Sequence, residues 1–509
     1  MRSNNQLRTG VVLSYLNLAI SSIIPFVYTP VMLGILGQAE YGLYSLAHSV
    51  VGYLSLLNFG FGTTIVRYLS KYRAEGNVEA LSKTVGFFLM LYSGLGLVIL
   101  AGGGILSVCI DSIFAKGLSL GEITTMRILV LIMTLNLAIS FPSSVFTSVV
   151  SSYERYSFQV GINILSTIAA PVANVIALFL GYGAVGMTVA ATIIQLIVLP
   201  INMCYCFRCL KVKAVFSQLP RTLVREMLGF SAFVFIGSLV DMLFWATDKV
   251  ILGMLVSTVA VAIYNVGGTF NNILMSVSGP VSGVFVPRIT GMVATDTERN
   301  EWTSLFVKVG RIQFLIIALI VSGFSVFGRS FIGLWAGAEY ADAFWVAVLT
   351  MFPLCIPLIQ NTGVSFVTAQ NKHQFRSVVY LIIAIVNVIS TYLIVPYMGI
   401  IGAALCSCVA YLLGHGVIMN IYYYKVTGLD IPLFWRNILR MAVIPAGMLV
   451  VGLMLNRVIV IDNWLTFFAG VVLFTTVYAV LMYCFAMNDY EKDIIRKPLQ
   501  KILRIVKRK

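Results

Sequence analysis

The chain has 509 residues, of which 59% are hydrophobic and 10% charged, with a mean hydropathy of +0.96 and a formal charge of +15. No water-soluble chain hides that much apolar surface, so a string of soluble domains, a disordered chain and a secreted disulfide scaffold are all excluded. A bilayer core about 30 Å thick takes roughly 20 apolar residues per helical crossing, and this chain has room for many crossings and little else.

Broken at its charge and turn clusters, the sequence gives fourteen apolar segments. In chain order they are 10–35, 42–66, 84–110, 125–150, 159–181, 185–207, 227–254, 257–286, 308–332, 343–369, 378–398, 400–423, 441–461 and 464–487. The first follows a short polar start and is longer than a signal-peptide core, with no small-residue cleavage pattern after it, so it reads as a retained helix. Fourteen crossings put both termini on one side. The amino terminus, the loops after even-numbered helices and the carboxy tail hold 29 of the 34 Lys and Arg residues. The other side holds Lys116, Arg127, Lys249, Arg329 and Arg457. The first side is therefore expected to be cytoplasmic, and the positive charge is a topology signal that needs no nucleic-acid partner. The tail from Lys492 to Lys509, with eight basic residues, is expected to lie on the inner leaflet as a cationic amphipathic segment.

The longest loop on the cation-poor side, 111–124, is too short to fold alone, so function is expected among the helices. The eight cysteines are scattered through spans and do not form a disulfide framework. Cys204, Cys206 and Cys209 read as small filler rather than a metal site, and His48 and His415 as packing or hydrogen-bonding groups rather than ligands. No cofactor is expected. The sequence also lacks a nucleophile elbow, a P-loop, a zinc motif and a glycine-rich dinucleotide loop, so uphill work must come from a gradient or from the charge of the substrate.

Internal similarity organises the rest. Thr29 to Leu36 followed by Tyr44 aligns with Asp248 to Leu255 followed by Tyr264, with a slip of one residue. Gly183-Ala184-Val185-Gly186 matches Gly399-Ile400-Ile401-Gly402, and Val66-Arg67 matches Pro287-Arg288. Six helices per copy is an even number, so both copies enter the membrane in the same direction. The expected fold is an all-α polytopic membrane protein with two six-helix bundles related by a pseudo-twofold axis along the membrane normal, plus two further helices. The corresponding divisions are 1–207, a linker at 208–225, 226–423, the two added helices at 424–487 and a basic tail at 488–509. Two such bundles are expected to enclose a cleft that opens to alternate sides. Pro25 and Pro30 fit either a kink in the first helix or plain packing.

Charge within hydrocarbon is costly, which makes intramembrane ionisable residues the first functional candidates. Asp241 lies near the middle of helix 7, with Ser238, Trp245 and Asp248 at helical spacing on its face. That stripe fits either a coupling-ion site or a hydrogen bond to a neighbouring helix. Asn17, Asn271 and other intramembrane amides offer the donors and acceptors a sugar hydroxyl takes, and serve equally as interhelical glue. Arg8, Arg67, Arg288 and Arg311 fall at inner helix ends, where they fit either a ring of cations meeting a phosphate or ordinary positive-inside anchoring.

Thr247-Asp248-Lys249-Val250-Ile251-Leu252-Gly253 with Tyr264, the Glu40-Tyr41-Gly42-Leu43-Tyr44 turn, Gly34 and Pro287-Arg288 resemble the Wzx-like polysaccharide flippases. These belong to the multidrug/oligosaccharidyl-lipid/polysaccharide (MOP) superfamily. The resemblance runs end to end, with Ala262 departing from the family's usual glycine, and the inner-end cations here differ from the deep cavity cations common in the family. It implies a MATE-like, non-enzymatic transporter of the bacterial inner membrane with both termini in the cytoplasm. It further implies that an undecaprenyl-diphosphate-linked oligosaccharide is moved to the outer leaflet for O-antigen or capsule assembly. The implied partners are the lipid-linked oligosaccharide, the bilayer, and polysaccharide polymerase and chain-length machinery. A cation-coupled drug exporter of the same superfamily is the alternative, and a membrane glycosyltransferase or polymerase a third reading that the short loops disfavour.

Overall fold

A computed structural model describes residues 2–216, 221–458, 461–494 and 496, with 2–19, 22, 373 and parts of 221–234 described by backbone alone. Among the described residues every regular element is helical. That is what hydrocarbon dictates, because a helix satisfies its own backbone donors and acceptors where no water can. Nine helices among the described residues are long and apolar enough to cross a membrane, or eleven if two bent pairs count as spans. Two of the nine, Ile23–Ala74 with 52 residues and Gln374–Thr427 with 54, are far longer than one crossing needs. Each is broken at a glycine in the left-handed region, Gly37 at φ 69° and Gly399 at φ 54°. The first helix runs through Pro25 and Pro30 without leaving helical dihedrals, so its break comes at Gly37 and not at the prolines.

The helices gather into two compact units, Met1–Asn265 with Val388–Ala403, and Val266–Asn387 with Ala404–Lys509. The first unit holds α1 (Arg2–Leu54), α2 (Phe61–Ala74), α3 (Val78–Phe114), α4 (Leu120–Ser152), α5 (Tyr156–Phe179), α6 (Gly183–Cys204), α7 (Arg221–Trp245), α8 (Thr247–Leu255) and the start of α9 (Thr258–Gly283). Its core packs Phe61, Phe88, Tyr92, Phe141 and Phe146 from α2, α3 and α4, with Tyr92 edge-on to Phe141 at 5.4 Å. Cys206 is buried in that core with its thiol on the Phe146 carbonyl, while Cys204 and Cys209 are exposed, so the three sulfurs do not converge.

One end of this unit carries the cation-rich turns. There the Val215 N–H bonds the Ser82 carbonyl and the Arg73 guanidinium bonds the Ser152 carbonyl at 2.5 Å. The other end is cation-poor and is closed by backbone packing. A Cβ on Gly42 would overlap the Thr258 carbonyl, one on Gly117 would overlap the Gly253 carbonyl, and one on Gly253 would lie 2.5 Å from Leu46 Cδ2. These contacts tie α8 and the start of α9 to α1 and to the α3–α4 turn, which is why the compact division falls within α9 and not in the 208–225 stretch.

The second unit holds α10 (Val286–Ala294), α11 (Arg299–Trp335), α12 (Ala343–Ile359), α13 (Asn361–Ala369), the first part of α14 (His373–Tyr411), α15 (Met419–Tyr422), α16 (Ile431–Leu455) and α17 (Trp464–Leu481). Val326, Met441, Met448, Phe474, Tyr478 and Met482 fill the space among α11, α16 and α17. Beside them lies an apolar groove of about 540 Å³, lined by Val443, Gly447, Val451, Leu473 and Val477 among others.

The matched glycine motifs share geometry as well as sequence. Gly183 and Gly399 have φ values of 55° and 54°, and a Cβ on Gly186 or Gly402 would overlap the residue four positions back, Tyr182 or Met398. Gly42→Ala should lower the thermal midpoint of the detergent-purified protein, at about 1–3 kcal/mol for the forced backbone shift. Gly34→Ala, where an added methyl meets nothing within 4 Å, should leave it unchanged.

Candidate functional site

The polar groups of the first unit converge where α8 begins. Asp241 lies near the end of α7 and Asp248 in the first turn of α8, with Ala246 between the two helices. Asp241 is exposed near the end of α7, with Ser238 also exposed, whereas Asp248 is 1% exposed in the first turn of α8. The Asp248 carboxylate accepts hydrogen bonds from the hydroxyls of Tyr264 and Thr391, the latter at 3.4 Å. Next to it Thr247 and Tyr53 share a hydroxyl hydrogen bond. The Lys249 ammonium donates to the Asn265 carbonyl at 3.2 Å, and the Asn265 amide donates to the Tyr41 hydroxyl at 2.6 Å. A buried carboxylate needs an adjacent cation and hydrogen-bond donors to remain in a dry interior, and this network supplies both. It joins α8 to α1, α9 and α14.

A second knot seals the same end. Glu122 closes a capping box with Ser119 at the start of α4 and also accepts from the Thr258 hydroxyl at 2.5 Å. Glu40 accepts from the Ala184 N–H at 2.7 Å, capturing a free donor at the start of α6. Tyr44 is half-buried beside this layer, and Gly34 lies in open space. The capping box Ser119-Leu120-Gly121-Glu122 is visible in sequence, but the reach of Glu122 to Thr258 and of Tyr264 and Thr391 to Asp248 depends on the fold.

The expected headgroup ligands fare differently. Arg8 and Asn17 carry side chains outside the described residues. Arg67 and Arg288 are exposed, in the first and second units. Arg311 is buried and is not available to a phosphate, because its guanidinium forms a two-pronged pair with Glu491 at 2.6 and 2.9 Å and also donates to the Ala486 carbonyl. Glu491 is itself fixed by a reciprocal cap with Asn488. Asn271 is 2% exposed and exchanges hydrogen bonds with Thr350 at 2.9 and 3.2 Å, so its amide clamps α9 to α12 instead of facing a ligand.

Polar groups held between helices long and apolar enough to cross a membrane define a multi-pass membrane protein. The family model described as "Polysaccharide biosynthesis protein" matches residues 7–293, more than half of the sequence, and the chain belongs to that family. The chain is 20% identical over 483 residues to the uncharacterized membrane protein EpsK of Bacillus subtilis (strain 168), covering 93% of this chain and 94% of that one. Among solved structures it is similar to the lipid II flippase MurJ in an inward closed conformation, with a TM-score of 0.71 at 13% identity over 93% of this chain and 98% of that one. It is also similar to an inward-facing multidrug resistance MATE transporter, with a TM-score of 0.61 at 14% identity over 78% of this chain and 96% of that one. The fold is that of the MOP superfamily, and the flippase resemblance read from the sequence stands.

Arg311→Ala strands Glu491 as a buried charge and should destabilise the protein by about 3–5 kcal/mol, whereas the paired change Arg311→Met with Glu491→Leu should recover most of that loss. Thermal unfolding of the three purified proteins checks it.

Proposed function

We propose that this protein moves an undecaprenyl-diphosphate-linked oligosaccharide from the cytoplasmic to the outer leaflet of the bacterial cell membrane during surface polysaccharide assembly. The observation that carries this reading is membership of the polysaccharide biosynthesis family over residues 7–293. A diphosphate-sugar headgroup cannot enter hydrocarbon unaided, since desolvating its charges and hydroxyls is prohibitive. Polar groups among helices give it a wet route while the polyprenyl chain stays in lipid. The apolar groove beside α16 and α17 supports a greasy substrate, and these two helices are what a twelve-helix drug exporter lacks.

The same reading takes fourteen crossings in two like-oriented copies, counting Ile23–Ala74 and Gln374–Thr427 twice and adding α7 with α8. Gly42 supports it, because a Cβ there would press on the backbone N of Ala262, its counterpart in the second copy. Repeat-related positions meet each other close to a twofold axis. Packing at the cation-poor end then represents a closed outer gate, with the cation-rich end facing the cytoplasm. With the cell interior negative, each negative charge carried outward gains about 2.3 kcal/mol per 100 mV, so the headgroup itself supplies driving force.

Asp241, an exposed carboxylate in α7, favours the cation-coupled drug exporter as a second reading. Depleting the protein in its own host separates the two. The flippase reading expects lipid-linked repeat units to accumulate unpolymerised and surface polysaccharide to disappear; intact polysaccharide with raised sensitivity to cationic drugs would overturn it. Asp241→Asn should abolish transport if that carboxylate carries the coupling ion, and surface polysaccharide restored to wild-type amount by the variant would make Asp241 a packing residue.

A further inference from the structure

The second unit contains an arginine set among aromatic side chains. Arg376 stands in the first turn of α14, and its Cζ lies 5.0 Å from the centre of the Tyr380 ring one turn on. The Tyr380 hydroxyl is 2.9 Å from His415 Nδ1, their rings are 4.6 Å apart, and Tyr411 stacks on the far side of His415. No carboxylate among the described residues lies within ion-pair distance of Arg376, in contrast to Arg311 with Glu491 and Arg127 with Asp111. Its Nε is buried without a hydrogen-bond acceptor.

The cluster faces protein and not lipid. Val378, Ile382, Ile385 and Ile389 are each about half exposed and recur at the spacing of one helical face. Arg376, Tyr380, Ala384, Asn387 and Thr391 recur on the opposite face, and the last three are fully buried. Half-burial of Arg376, Tyr380 and His415 is therefore exposure on the inward side of α14. The backbone bearing His415 is fixed in the same place. Leu412–Ile418 is a π-helical segment, a form concentrated at functional sites, and the Asn420 amide donates to the His415 and Gly416 carbonyls. Asn420 is held in turn by Gln360 and Trp435. Gly414 lets the helices approach, since a Cβ there would lie 2.8 Å from Ile383.

We propose that Arg376, oriented by Tyr380 and His415, binds the phosphate of the transported headgroup at the cation-rich end of the protein. The ligand class rests on the flippase reading; the anion site does not. A guanidinium without a carboxylate, held over an aromatic ring with one buried N–H lacking an acceptor, is a preorganised receptor for a phosphate oxygen. Of the lysines on the flanking turns, Lys372 donates to the Val426 carbonyl and Lys425 is exposed.

The test measures binding of undecaprenyl diphosphate and of inorganic pyrophosphate to the full-length protein in nanodiscs. Wild type should bind undecaprenyl diphosphate, and Arg376→Gln should weaken that binding by about tenfold with an unchanged melting temperature, while Lys425→Gln binds as wild type does. Equal affinity of Arg376→Gln and wild type would overturn the site and leave the flippase reading standing. Binding of pyrophosphate alone, lost in Arg376→Gln, would support the anion site and contradict the lipid-linked substrate. Wild type that binds neither would overturn the site. Should Arg376→Gln fail to fold, phenylglyoxal modification of Arg376 in the wild-type protein, mapped by mass spectrometry, decides. Undecaprenyl diphosphate should slow it severalfold and undecaprenol should not; equal rates would overturn the proposal.

Discussion

In hydrocarbon every polar group must find its partner inside the protein, and this constraint shapes the whole chain. It makes every described regular element a helix, and it draws Asp248, Arg311 and Asn271 into hydrogen bonds with Tyr264, Glu491 and Thr350. It also gives meaning to a charge that has no oppositely charged partner. A buried ion pair such as Arg311 with Glu491 is weak evidence for stability but strong evidence that its charge is not for hire. Arg376, with its aromatic neighbours and no acid, is the opposite case.

Helix–helix association in lipid lacks a hydrophobic drive and relies on close packing and interhelical hydrogen bonds. The cation-poor end of the first unit uses both. Gly42, Gly117 and Gly253 bring backbones into contact, and Glu122, Glu40 and the Asp248 network fasten the helices that meet there.

Local signals in the sequence carried far. The apolar pattern and the Gly183 and Gly399 motifs depend on residues within a turn or a span of one another; among the described residues the first yields nine to eleven spans, and both glycines take a positive φ. What the sequence left open depended on distance along the chain. Arg311 was open between a phosphate ligand and an anchoring charge because its partner Glu491 lies 180 residues away, and Asn271 between a sugar ligand and interhelical glue because Thr350 is 79 residues on. Arg376 does not stand out in the sequence, since its aromatic surroundings come partly from His415, 39 residues on.

The central claim is that the headgroup crosses through the protein while its lipid anchor does not. Purified protein in liposomes carrying a fluorescently labelled undecaprenyl-diphosphate oligosaccharide tests it most directly, with an impermeant quencher added outside. The account predicts that fluorescence beyond the outer-leaflet share is quenched at a rate that rises with protein content and is absent from empty liposomes. Folded protein that leaves the inner-leaflet share protected, as empty liposomes do, would contradict it.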